Sequence, residues 1–200
     1  ILWLGGLGFM DDYLKVVRKK TEGLVGRYKI VGQVSLGTLV GLFLIFTPGL
    51  FGDVPPTWTQ IPFFKSWHVA FAPWAYVLFV IFVITAFSNA VNLTDGLDGL
   101  AAGLSAIAAV TMGIFAYLLG RVDSSDYLNL FYLPGAGELA IFCVALAGGC
   151  MGFLWFNAHP AEVFMGDTGS LAIGGVLGAI AVLLKAEFLL AIVGGMFVLE

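Results

Sequence analysis

The sequence predicts an all-α, polytopic bundle of membrane-spanning helices, and three observations carry that prediction. Of 200 residues, 60% are hydrophobic and only 11% are charged, against roughly a quarter charged in an ordinary soluble domain. Mean hydropathy is +1.00. The apolar residues also come in long runs, not in the one-sided stripes of a water-facing helix. A net charge of −4 gives no reason to expect nucleic acid as a partner.

The elements follow in order. A span needs ~20 residues at ~1.5 Å rise to cross ~30 Å of hydrocarbon. Residues 1–10 read as the end of a clipped helix. The full or nearly full spans are Ile30–Thr47, Trp74–Val91, Leu100–Gly120, Glu138–Phe156 and Ser170–Leu184, and Phe188–Glu200 starts another. With no initiator Met and apolar sequence at both ends, residues 1–200 read as one transmembrane domain, truncated at both ends. Between the first two full spans, DVPPTWTQIPFF sets three prolines among alternating β-formers, which predicts a short hairpin over the membrane surface. Cys143 and Cys150 lie ~10 Å apart along one helix, too far for a disulfide, and read as packing residues. Glycine pairs such as Gly148-Gly149, Gly174-Gly175 and Gly194-Gly195 let membrane helices approach closely.

Orientation comes from charge. Six of the nine Lys and Arg fall between residues 15 and 29: Lys15, Arg18, Lys19, Lys20, Arg27 and Lys29. The positive-inside rule makes that loop cytoplasmic. Counting spans then puts 92–99 and 157–169 inside, and 48–73, 121–137 and 185–187 outside. The outer segments hold only Lys65, Arg121 and Lys185, while Trp58, Trp67, Trp74, Tyr127 and Tyr132 suit an interfacial aromatic belt.

Three acidic clusters thereby share one side: Asp11-Asp12, Asp95 with Asp98, and Asp167. A carboxylate near lipid is costly unless paired, hydrated or bound to metal, and the second and third inner loops contain no Lys or Arg. In GFMDDYLKVVRKK, a helical reading makes Asp11 and Lys15 an i,i+4 pair and puts Asp12, Lys15 and Lys19 on one face. Such a segment is either a solvated helix end or a place where acids hold a cation while lysines meet phosphates. In NLTDGLDGLAAG, Asn92, Asp95 and Asp98 are spaced i, i+3, i+6 and would project to one side of a helix. Gly96 and Gly99 permit close backbone approach, and either acid could instead cap the next helix. WFNAHPAEVFMGDTGS gathers Asn157, His159, Glu162, Asp167, Thr168 and Ser170. Its Asp-Thr-Gly-Ser reads as a helix N-cap that also suits an anion, and exposed Phe164 could stack on a planar base.

These three strings, in this order and among these spans, resemble the muramoyl-pentapeptide branch of the polyprenyl-phosphate N-acetylhexosamine-1-phosphate transferase superfamily over essentially the whole chain. The resemblance implies a ten-helix bacterial inner-membrane fold, Mg²⁺, a homodimer and an active site facing the cytoplasm. It implies transfer of phospho-MurNAc-pentapeptide from its UDP carrier to undecaprenyl phosphate, giving lipid I and UMP. It makes Asp167 the metal ligand, Asp11 and Asp12 the catalytic pair with Asp11 as base toward the lipid phosphate, and Asp95 a further catalytic acid. Lys15 and Lys19 would meet phosphate. Asn92, Gly96, Leu97, Asp98, Asn157, His159 and Phe164 would bind substrate, with Phe164 on uracil. It also implies a His-rich loop beyond Glu200. Two other readings stay open: a sister enzyme moving GlcNAc-1-phosphate, and a cation-coupled transporter, which the acids' placement at helix ends disfavours.

Overall fold

The apolar runs fold as helices because a chain in hydrocarbon must satisfy every backbone N–H and C=O within itself. The computed structural model describes residues 1–20, 22–64 and 67–199. Lys65, and Glu200 as the limit of the last partial span, lie outside the described residues. Helix α1 covers Leu2–Val16 and α2 covers Gly26–Phe46, followed by a 3₁₀ turn at Pro48–Phe51. Strands β1 (Trp58–Gln60) and β2 (His68–Ala70) pair antiparallel as the expected hairpin. Next come α3 (Pro73–Thr94), α4 (Leu100–Leu119), the short α5 (Val122–Leu128), α6 (Ala136–Asn157) and α7 (Gly166–Leu183). Helices α8 (Glu187–Val193) and α9 (Met196–Leu199) are separated at Gly194-Gly195. Five of these, α2, α3, α4, α6 and α7, are long and apolar enough to cross a membrane.

Boundaries differ where polar residues continue a helix. Nothing in DDYLKV breaks α1, and Lys15 in its last turn complements the helix dipole, so Asp11 and Asp12 are helical rather than in a loop. The face expected for Asn92, Asp95 and Asp98 does not form. Asn92 is on α3, Asp95 is the residue after it, and Asp98 lies in the following turn. Gly99 at φ 74 starts α4, with no side-chain cap from either acid.

The main packing pairs are α4 with α6, α3 with α7, α1 with α7, and α2 with α3. Helices α3 and α7 meet backbone to backbone: a Cβ on Gly174 would stand 2.8 Å from Ser88 Cα. Gly148 and Gly149, by contrast, face no neighbour among the described residues. Cys143 and Cys150 are free and buried, as packing residues should be. A buried polar chain ties α2, α3 and α7. Asn89 donates to Gln33 Oε1 at 2.9 Å, Gln33 donates to Ser88 Oγ at 3.2 Å, and Ser88 donates to the Leu171 carbonyl at 3.2 Å.

At the hairpin end, Lys185 departs from the exposed outer residue its loop position suggested. It is fully buried, with Nζ donating to Tyr76 Oη at 2.9 Å and to the Pro56 carbonyl, 3.8 Å above the Phe51 ring. Gln60 N–H donates to the Lys185 carbonyl at 3.0 Å, and Thr59 donates to Glu187. The hairpin, the 3₁₀ turn, α3 and the α7–α8 corner are thus tied together around Lys185 and Glu187.

Candidate functional site

The opposite end of the bundle collects the acids. Helix α1 crosses the start of α7 so closely that a Cβ on Gly8 would overlap the Asp167 carbonyl, and only glycine fits there. That contact carries Asp11 and Asp12, one turn further along α1, to the first turn of α7. One carboxylate oxygen each from Asp11, Asp12 and Asp167 lies within 4.8 Å of the other two.

Each acid has distinct partners. Asp11 is fully buried and forms the expected i,i+4 ion pair with Lys15. Its Oδ1 accepts the Leu24 N–H at 2.6 Å and lies 3.2 Å from Lys29 Nζ. Asp167 Oδ2 pairs with Lys29 and, at 3.4 Å, with Lys15, while its Oδ1 accepts from Asn92 Nδ2 at 2.9 Å. Asn92 also donates to Ser170 Oγ at 2.8 Å, which fixes the amide. Asp12 faces the α7 backbone, accepting from Thr168 N–H at 2.9 Å, Thr168 Oγ1 at 2.6 Å and Asp167 N–H at 3.3 Å. Asp167 lies within the first turn of α7, and its N-cap position falls to Met165, not to the Asp-Thr-Gly-Ser string.

Asp95 stands at the rim of this cluster. Burial pushes its carboxyl up to about 6; the Gly166 N–H pulls it partly back, and the charges of Asp167 and Asp12 raise it further. Asp98 faces elsewhere. Its Oδ2 accepts from Ala161 N–H at 3.1 Å and lies 3.0 Å from His159 Nδ1. The Ala161 N–H, then His159, hold Asp98 below the ordinary carboxylate value. Asn157, buried, accepts the Gly99 N–H at 3.1 Å and donates to the Val163 carbonyl at 2.9 Å. Asn157, Asp98 and His159 therefore staple the second loop, 95–99, to the third, 158–165. Phe164 is exposed on the third loop, and Gly96 is exposed on the second. Leu97, also exposed, lines a groove of about 540 Å³ with Asn89, Leu93 and Phe197.

One expectation is corrected here. Lys19 does not share a face with Asp12 and Lys15, because α1 stops at Val16 and Lys19, exposed, adopts φ 51 beyond it. Asp167, whose own loop offers no Lys or Arg, finds its cationic partners on α1 (Lys15) and α2 (Lys29). Lys29 is the residue that sequence reasoning missed. It was counted only toward topology, and its place three residues into α2, on the side of the acids, was the available signal.

The donor set fits a hard divalent cation such as Mg²⁺, which takes oxygen ligands and is bound by one or two carboxylates together with phosphate and water. Asp11 Oδ2 is buried and, among the described residues, is met only by the Lys15 ammonium, so it is an oxygen that needs positive charge beside it.

The sequence pattern described as glycosyl transferase family 4 matches residues 1–185. Among similar proteins, the phospho-N-acetylmuramoyl-pentapeptide-transferase of Gemmatimonas aurantiaca is 58% identical over 206 residues, covering 99% of this chain and 54% of its own length. The proteins of the same name from Chlorobium phaeobacteroides strain BS1 and Thermodesulfovibrio yellowstonii are 54% and 53% identical over all of this chain. They are covered to 53% and 54% of their own lengths. The chain thus spans about half the length of the curated relatives it matches.

Proposed function

The chain belongs to glycosyl transferase family 4, and from that premise we propose that the protein it comes from makes lipid I at the acidic end of the bundle. In this reading phospho-MurNAc-pentapeptide passes from UDP to undecaprenyl phosphate, on the cytoplasmic face of a bacterial inner membrane, within a ten-helix homodimer. The observation that supports it best is the meeting of Asp11, Asp12 and Asp167 with Lys15 and Lys29 at one point, from three separate helices.

The chemistry follows from those groups. An oxygen of the lipid phosphate attacks the sugar-side phosphorus of the diphosphate; the bond to the bridging oxygen breaks, and UMP leaves with the electron pair. Such a transfer needs little covalent help and much positioning and charge neutralisation. Asp167 and Asp11 would hold Mg²⁺, which when bound supplies Lewis-acid stabilisation of the diphosphate charge. Lys15 and Lys29 sit on flexible stems and turn from the carboxylates to meet phosphate oxygens as the substrates enter. Asp11 takes the proton of a protonated lipid phosphate. Asp95 adds a further acid at the rim, and Asn92 holds Asp167 in register. The stapled loops carrying Asn157, Asp98, His159, Gly96 and Leu97 take the uridine, with Phe164 stacked on its ring. Lys19, outside the cluster, guides anionic substrates from solution.

The test is UMP release by the full-length protein supplied with undecaprenyl phosphate and either UDP-MurNAc-pentapeptide or UDP-GlcNAc, with and without Mg²⁺. Turnover of the muramoyl substrate that stops on chelation is expected. Turnover of UDP-GlcNAc alone overturns the substrate, and turnover in excess chelator overturns the metal.

A further inference from the structure

The two neighbouring aspartates of α1 are held in opposite ways. Among the described residues, the groups that donate to Asp11 apart from the Leu24 N–H are lysine ammoniums on mobile four-carbon stems. Asp12 is gripped by the first turn of α7: Asp167 N–H on Oδ1, and Thr168 N–H and Oγ1 on Oδ2. Two of those three donors are backbone amides, which cannot swing toward a substrate. They are also among the four N–H groups that a helix start leaves without partners, in a turn where α7 supplies no side-chain cap of its own.

We propose that Asp12 is a positioning residue, capping α7 from a neighbouring helix and thereby aiming the Asp167 carboxylate at Asp11, and that it neither binds metal nor reacts. The proposal rests on the metal reading of the site above and divides the adjacent acids into one for chemistry and one for architecture. Three features agree with it. The capped residues are Asp167 itself and the one after it, so the grip acts on the peptide unit that carries the metal ligand. Gly166, at φ 66, has its Cβ position 3.0 Å from Asp12 Oδ2, so a side chain there would crowd the carboxylate. Gly8 lies one turn before Asp12 on α1 and brings that helix against the Asp167 carbonyl, setting the reach from the other side. A negative charge at a helix start is also favoured by the dipole.

The experiment uses the full-length protein, with Mn²⁺ as the probe read by electron paramagnetic resonance, in wild type, D167N, D12N, T168V and the D12N/T168V double variant. Loss of a direct ligand in D167N should abolish binding. Loss of a residue that orients a ligand costs about 10- to 100-fold in metal affinity, and D12N should fall in that range. T168V, which removes only the hydroxyl donor, should weaken Mn²⁺ by about 10-fold, as expected for one hydrogen bond to a charged group. The double variant should be little worse than D12N, because both changes act on one contact. Hydrogen exchange of the 165–170 segment should quicken in D12N and in T168V. Complete loss of Mn²⁺ in D12N with T168V at the wild-type level overturns the proposal, as do fully additive penalties. If the wild-type protein binds no Mn²⁺, the metal reading itself falls. The exchange measurement then decides the cap alone, and unchanged exchange in D12N overturns it.

Discussion

Lys29 Nζ on α2 lies 3.2 Å from Asp11 on α1, and the same ammonium pairs with Asp167 on α7. One cation thereby joins three helices at the point where the acids meet. Removing it leaves a fully buried carboxylate with Lys15 as its only cationic partner among the described residues, a change of the kind that costs several kcal/mol when a buried pair is broken. Lys29→Met in the full-length protein should lose about 10-fold or more in kcat/KM and unfold at lower temperature. Steady-state UMP release and a thermal melt check both, and wild-type values in both would remove Lys29 from the site.

Asp167→Asn keeps the shape of the side chain and its contact with Asn92 while removing half of the charge offered to a cation. UMP release should fall by about 100-fold or more with the protein still folded, the pattern of a lost transition-state interaction. Normal, Mg²⁺-dependent release from this variant refutes the metal assignment.

Asp95 gives the pH dependence. Its carboxyl is raised by burial to about 6 in the folded protein, so the folded state keeps its proton longer than the unfolded chain. Below the unfolded value of about 4 both states are protonated and Asp95 has no effect. As pH rises through the window from about 4 to about 6, the protein loses stability, and above about 6 the loss is constant. Asp95→Asn should therefore stabilise the metal-free protein at pH 7, on the order of 1 kcal/mol after allowance for its half-exposed setting, and leave it unchanged at pH 4. Denaturant melts at the two pH values test this, and an equal shift at both would show a different cause.

Gly8→Ala probes the geometry without touching a charged group. A methyl there must displace the Asp167 carbonyl, so α1 moves away from α7. Overpacking of this kind costs ~1–3 kcal/mol, and here it also separates Asp11 and Asp12 from Asp167. Metal affinity should drop together with the melting temperature. Gly6→Ala, where a Cβ meets no neighbour among the described residues, is the matched control and should lower neither.

The spans were legible because hydrocarbon thickness sets their length, and the hairpin because prolines and alternating β-formers signal one locally. The shared side of Asp11, Asp12 and Asp167 followed from counting spans. Their actual partners did not. Lys29 and Asp167 are 138 residues apart, and no local periodicity reports a contact at that distance. The face expected for Asn92, Asp95 and Asp98 assumed a helix through Gly96 and Gly99, where the chain instead leaves α3 and turns. Lys185 looked like an ordinary outer-loop cation because burial of an ammonium depends on Pro56 and Tyr76, which lie far away in sequence. The same separation hid Asp12 from Thr168.

Helix α7 is fastened at both extremities, by Asp12 where it begins and through Lys185 just past where it finishes, with the α3 backbone pressed along its middle at Gly174. Mechanically it is a clamped strut, with little freedom to slide or roll. The acidic end is thereby held stiff, because the strut that carries Asp167 is the one fixed at both of its ends.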